Sequence, residues 1–159
     1  MAGSIVRRFL LQGLCFMIAA FGAAFALEAI EGMKIGTTEY YGLMNAGNMY
    51  FLLMLFAFGH YVAAFYMLVA FPFSWVMRRW IPIVAVRAMI YTGIGGWGGG
   101  WIFHQLYSDY FVTGYDLNQS TSRWLFAIAG LVYALLEYWV WHKPVAVDER
   151  NQRNQPVMK

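Results

Sequence analysis

The chain is poor in charge: only 12% of its residues are Asp, Glu, Lys or Arg, while 61% are hydrophobic. Soluble domains carry about 25% charged residues, and one core could not hide so much apolar surface. There is a single cysteine, Cys15, so an intrachain disulfide is excluded and a metal–thiolate cluster has too few ligands. The H-E-x-x-H, G-x-S-x-G, phosphate-loop and paired-cysteine patterns are all missing. Their absence removes the usual signatures of membrane proteases, hydrolases and nucleotide-driven pumps. His60, His104 and His142 fall at depths that differ by roughly 10 Å or more, whereas a bis-histidine haem needs ligands facing across one plane. Neither a metal nor a cofactor is expected.

What the chain has in quantity is apolar sequence, in four runs separated by short polar segments. A spanning helix needs about 20 apolar residues, and four spans consume nearly the whole length. The first run covers residues 9–30 and follows Arg7 and Arg8. Its basic start and its Ala24-Phe25-Ala26 also have the outline of a cleavable signal peptide, but it is expected to remain as a span. The second run, 49–71, ends near Pro72; the third, 82–107, takes Pro82 into its first turn; the fourth, 124–141, is closed by His142, Lys143 and Pro144. Residues 31–48 and 108–123 form polar loops, the first with an interfacial helix around 40–44. Residues 145–159 form a polar tail.

Basic residues orient the spans. Arg7, Arg8, Arg78, Arg79, Lys143, Arg150, Arg153 and Lys159 fall on one side, against Lys34 and Arg123 on the other. By the positive-inside bias the richer side is cytoplasmic. The fold predicted is an all-α, up-down-up-down bundle of four transmembrane helices with both termini inside, in a bacterial cytoplasmic membrane. The net charge of +3 sits in short segments beside apolar runs, as topology signals do, so the expected partner is the lipid bilayer and not nucleic acid.

An ionisable side chain at mid-depth costs on the order of 3 kcal/mol or more, so each one needs a partner, water or a task. Counting from the cytoplasmic anchors at about 1.5 Å per residue, Arg87 lies roughly 12 Å in and Glu137 roughly 9 Å in. An Arg87–Glu137 ion pair is predicted across neighbouring spans. Glu137 shares a helical face with Ala127, Gly130 and Ala134, which directs it into the bundle. Such a pair acts as a structural clamp, or as a proton-linked or anion-binding element of a pathway.

Towards the outer side, His60 and Glu28 fall at roughly 27 and 30 Å and could meet. At similar depth lies the run from Gly93 to Trp101, with six glycines in its first eight residues. The pairs Gly95 with Gly99 and Gly96 with Gly100 match the small-residue spacing of close helix crossings. Span one offers a counterpart in Ala19, Gly22, Ala23 and Ala26, so spans one and three are expected to pack backbone to backbone. The alternative is a broken helix lining a ligand or ion site near Glu28, His60, Trp97 and Trp101.

Three functions fit these residues. The first is a non-catalytic accessory or assembly subunit that docks other membrane subunits or copies of itself. The second is a small oligomeric transporter or lipid-linked substrate translocase using Arg87 and Glu137. The third is a lipid-acting enzyme with His60 and Glu28 as acid and base.

Overall fold

The computed structural model describes residues 2–35 and 49–142, and every regular element among them is helical. The interfacial helix expected at 40–44 and the tail at 145–159 lie outside the described residues.

Helix α1 spans Ala2–Ile30 and gives way to a single 3-10 turn, Gly32–Lys34. The turn depends on Gly32: a Cβ there would stand 2.6 Å from Glu28 Oε2 and 3.3 Å from the Tyr107 hydroxyl.

The second apolar run does not stop at Pro72. Helix α2, Met49–Phe65, passes through one π turn at Tyr66–Ala70 into helix α3, Phe71–Trp80. Proline has no N–H to donate, and its ring strikes the carbonyl four residues back in a regular helix. A wider turn relieves that contact, and the Phe71 N–H reaches the Tyr66 carbonyl, five residues behind it. The helix therefore continues for two more turns and carries Ser74, Met77 and Arg78 on one face.

Pro82 does not enter the next helix. Ile81 (φ −123°, ψ 90°) and Ile83 (φ −77°, ψ 113°) are both extended, as the reversal of the chain demands, and α4 begins only at Val84. It is continuous from Val84 to Leu106, so the glycine run is unbroken helix. A short helix α5, Asp109–Gly114, follows, and α6 spans Gln119–His142. Helix α6 starts five residues ahead of the apolar run because Asn118 caps it, its Oδ1 accepting the Ser120 N–H at 2.9 Å.

Three helical segments are long and apolar enough to cross a membrane, Ile5–Lys34, Leu55–Trp80 and Gln119–His142, and they point to a membrane protein. Helix α4 has the length, at 23 residues, but glycine, tryptophan and Arg87 leave it less apolar than these three.

Helix α6 forms the spine, with α4 packed along it and α1 on another side. The glycines of α4 face α6 and not α1, contrary to the sequence expectation. A Cβ at Gly95 would collide with the Phe126 carbonyl oxygen, and one at Gly99 would stand 2.7 Å from that of Ser122. Gly96 faces Ala127, Gly100 faces Arg123, and Gly130 of α6 returns the contact against the Tyr91 carbonyl. Both α1 and α6 carry small-residue ladders, and α6 supplies the closer fit because Gly130 and Ala127 continue the groove. On α1, Ala23 is buried and Ala19 packs against buried residues, but Gly22 is exposed with open space around it. The α2–α3 helix leans on α1 through Phe9 against Phe71 and Phe21 against Phe58, both edge-on, at 4.6 and 5.1 Å between ring centres.

Candidate functional site

The bundle has a basic end, where α1 and α4 begin and α3 and α6 finish, and an acidic end carrying Glu28, Glu31, Asp109 and Asp116. The polar side chains with the least access to solvent cluster at both.

At the basic end, Glu137 on α6 is only 1% exposed and Arg87 on α4 only 5%. Arg87 Nη1 lies 3.7 Å from Glu137 Oε2. A second arginine approaches the same carboxylate, Arg78 on α3, with Nε 3.5 Å from Oε1. Neither contact is a close bidentate fork. Arg78 also stacks over the Trp141 ring, its guanidinium carbon 3.7 Å from the ring centre, and Arg8 of α1 stands 5.2 Å from that centre.

A hydrogen-bonded chain backs this cluster and ties all four walls together. The Trp141 Nε1–H donates to Gln12 Oε1 at 3.0 Å, and Gln12 Nε2 donates to the Tyr133 hydroxyl at 2.7 Å. The Tyr133 and Ser74 hydroxyls are 2.9 Å apart, and Tyr91 donates to Ser74 Oγ at 3.1 Å. Because Tyr133 accepts from Gln12, its own proton is free for Ser74. Gln12, Ser74 and Glu137 are buried, so each of these bonds is made where water is scarce and an unmade one is expensive.

The spacing that builds the site is helical. Arg8 and Gln12 on α1, Ser74 and Arg78 on α3, Arg87 and Tyr91 on α4, and Tyr133, Glu137 and Trp141 on α6 each recur at four-residue steps, one above another on one face. Depth counting finds Arg87 and Glu137. It misses Arg78, which reads as a topology anchor once the helix is assumed to end at Pro72. The uncharged members carry no large desolvation cost to flag them, and only their four-residue steps from a charged residue mark them.

At the acidic end, Glu28 and Glu31 are each 1% exposed. The Tyr107 hydroxyl donates to Glu28 Oε1 at 3.0 Å. Glu31 accepts from Lys34 Nζ at 2.7 Å, from the Thr121 hydroxyl at 2.6 Å and from the Asn118 N–H at 2.9 Å. It thereby sits at the positive start of α6, where a carboxylate is favoured. This is a staple between the end of α1 and the start of α6.

The outer grouping expected from depth does not assemble. Glu28 turns inward onto Tyr107, whereas His60 faces outward and its Nδ1 donates to the Phe56 carbonyl one turn back at 2.8 Å. Trp97 and Trp101 are 79% and 62% exposed. Equal height along two helices fixes nothing about the direction in which their side chains point.

No protein-family model matches the chain, and neither a curated protein nor a solved structure matches it.

Proposed function

We propose that the chain crosses the membrane four times, with both termini cytoplasmic, and serves as a non-catalytic subunit or assembly factor of a larger membrane complex. The observation that carries this reading is the outward face of α4. A Cβ at Gly93 or Gly98 would meet nothing within 4 Å, and Ile94, Trp97 and Trp101 stand exposed around them. Glycine costs a helix about 1 kcal/mol against alanine, and Gly95, Gly96, Gly99 and Gly100 already satisfy the contact with α6. Outward glycines flanked by indoles suit the close approach of another helix, whereas lipid tails gain nothing from them.

Purification in mild detergent tests the docking: the native chain should travel with a stoichiometric membrane partner, and Gly93→Leu with Gly98→Leu should release it. A monomer free of any partner overturns the reading. The four-span placement is tested by labelling in intact cells, in which Arg79→Cys should react only from the cytoplasm and Asp116→Cys only from outside. Labelling of both from one side removes α4 as a span.

A second reading, a small oligomeric transporter or translocase for a lipid-linked substrate, is favoured by the buried arginines around Glu137. Arg87→Ala should then abolish flux in reconstituted vesicles while the protein stays folded, and unchanged flux removes it.

A further inference from the structure

The cluster at the basic end is unbalanced. Arg78 and Arg87 converge there on one carboxylate, Glu137, and Arg8 stands beside them against the Trp141 ring; the other described acidic residues, Glu28, Glu31, Asp109 and Asp116, belong to the opposite end. Among the described residues the three arginines exceed that carboxylate by two positive charges, with Arg87 buried and Arg8 and Arg78 partly so.

The donors are in excess as well. Arg78 Nη1 and Nη2, Arg87 Nε and Arg8 Nε are all buried and have no hydrogen-bond partner among the described residues, and Arg87 Nη1 meets only Glu137, at 3.7 Å. The carboxylate does not consume them, because it meets each guanidinium at a single atom and at more than hydrogen-bond length. A clamp built only for stability would close into a bidentate fork, the strongest form of this pair. Here Glu137 stands between two guanidiniums at ion-pair distance, and its own Oε1 is likewise buried without a hydrogen-bond partner among the described residues.

We infer that Arg8, Arg78 and Arg87 form a binding site for a phosphate group, with Glu137 spacing the arginines and Trp141 forming one wall. The chemistry of the missing counter-charge supports phosphate over smaller anions. A phosphomonoester carries about −1.5 to −2 charges near neutral pH and three strong acceptor oxygens, which matches both the excess charge and the spare donors. Arg87 forms the floor; Arg8 and Arg78 are less deeply buried and form the rim. Trp75, Trp80 and Trp139 are exposed at this same end, the residue type enriched at the headgroup level of a bilayer. The phosphate is therefore carried by a lipid headgroup or by a soluble phosphate compound at the cytoplasmic surface. The inference deepens the translocase reading by naming what the site holds, and the same site serves equally if the chain only binds and does not transport.

The test uses the full chain in detergent, with unfolding followed by tryptophan fluorescence during titration with phosphatidic acid, phosphatidylcholine or inorganic phosphate. Phosphatidic acid should raise the melting temperature saturably and phosphatidylcholine should not. A rise with inorganic phosphate as well assigns the site to soluble phosphates, and a rise with phosphatidic acid alone assigns it to a lipid. Removing a charged donor should weaken binding by roughly tenfold or more, so Arg8→Gln, at the rim where folding is least at risk, is the first variant. Glu137→Gln removes the competing charge and should tighten binding by about tenfold if the variant folds. Equal response to phosphatidic acid and phosphatidylcholine with no response to phosphate overturns the inference, as does unchanged affinity in Arg8→Gln. Binding without flux in vesicles supports the site and removes only the translocase reading.

Discussion

Arg78 and Arg87 hold one carboxylate between them, from two helices joined by a three-residue turn: Arg78 Nε is 3.5 Å from Glu137 Oε1 and Arg87 Nη1 is 3.7 Å from Oε2. The arrangement makes the three residues unequal. Removing either arginine leaves Glu137 a partner, whereas removing Glu137 leaves two buried like charges facing each other.

The first prediction rests on that asymmetry. Glu137→Ala should cost about 3–5 kcal/mol of stability, the usual penalty for orphaning a buried charge, and Arg87→Ala clearly less. Unfolding of the two variants in the same detergent, monitored by circular dichroism, checks the order. The reverse order would mean that Arg78 does not neutralise Glu137.

The glycines of α4 divide into two groups with opposite expectations. Gly95→Ala places a Cβ against the Phe126 carbonyl oxygen and should destabilise the fold by roughly 1–3 kcal/mol, as overpacking does. Gly93→Ala meets open space and should be neutral or stabilising by up to about 1 kcal/mol through helix propensity. Melting temperatures of the two variants, each against the native chain, decide it.

At the acidic end, Glu31→Gln weakens three contacts at once and should cost about 1–3 kcal/mol, since charge-assisted bonds to Lys34, Thr121 and Asn118 are all affected. Lys34→Ala removes a partner whose side chain is 42% exposed and should cost less than about 1 kcal/mol. Hydrogen exchange should show the first turn of α6 loosening in the glutamate variant and not in the lysine one.

Tyr133→Phe probes the chain behind the cluster. The variant keeps the ring and its packing but deprives Gln12 of an acceptor and breaks the contact with Ser74, so it should cost about 1–3 kcal/mol. Loss of the bond from Trp141 to the reoriented Gln12 should also shift the indole emission, and an unchanged spectrum with unchanged stability would mean the chain is dispensable.

Much of the architecture is legible in the residues, though unevenly. Spacing and apolar runs place the helices, and the height of Arg87 and Glu137 along them can be counted. Direction around the helix axis is harder: His60 and Glu28 match in height, yet one faces out and the other in. The glycine pairs announce a close crossing but cannot name its partner when two other helices offer small residues. The largest loss comes from Pro72. Reading it as a terminator hides two turns of α3 and, with them, Arg78 and Ser74, because a π turn that accommodates proline leaves no mark in hydropathy.

That single widened turn at Tyr66–Ala70 also acts as an angular gauge for the rest of its helix. One residue inserted into an α-helix rotates every later position by about 100°, so the extra residue housed there decides which compass bearing Ser74 and Arg78 take. Deleting one residue from this stretch would leave the helix equally apolar and nearly as long, but would swing both side chains towards the bundle's exterior. A lineage that lost that residue could keep its helices and its membrane and still have dismantled the basic end.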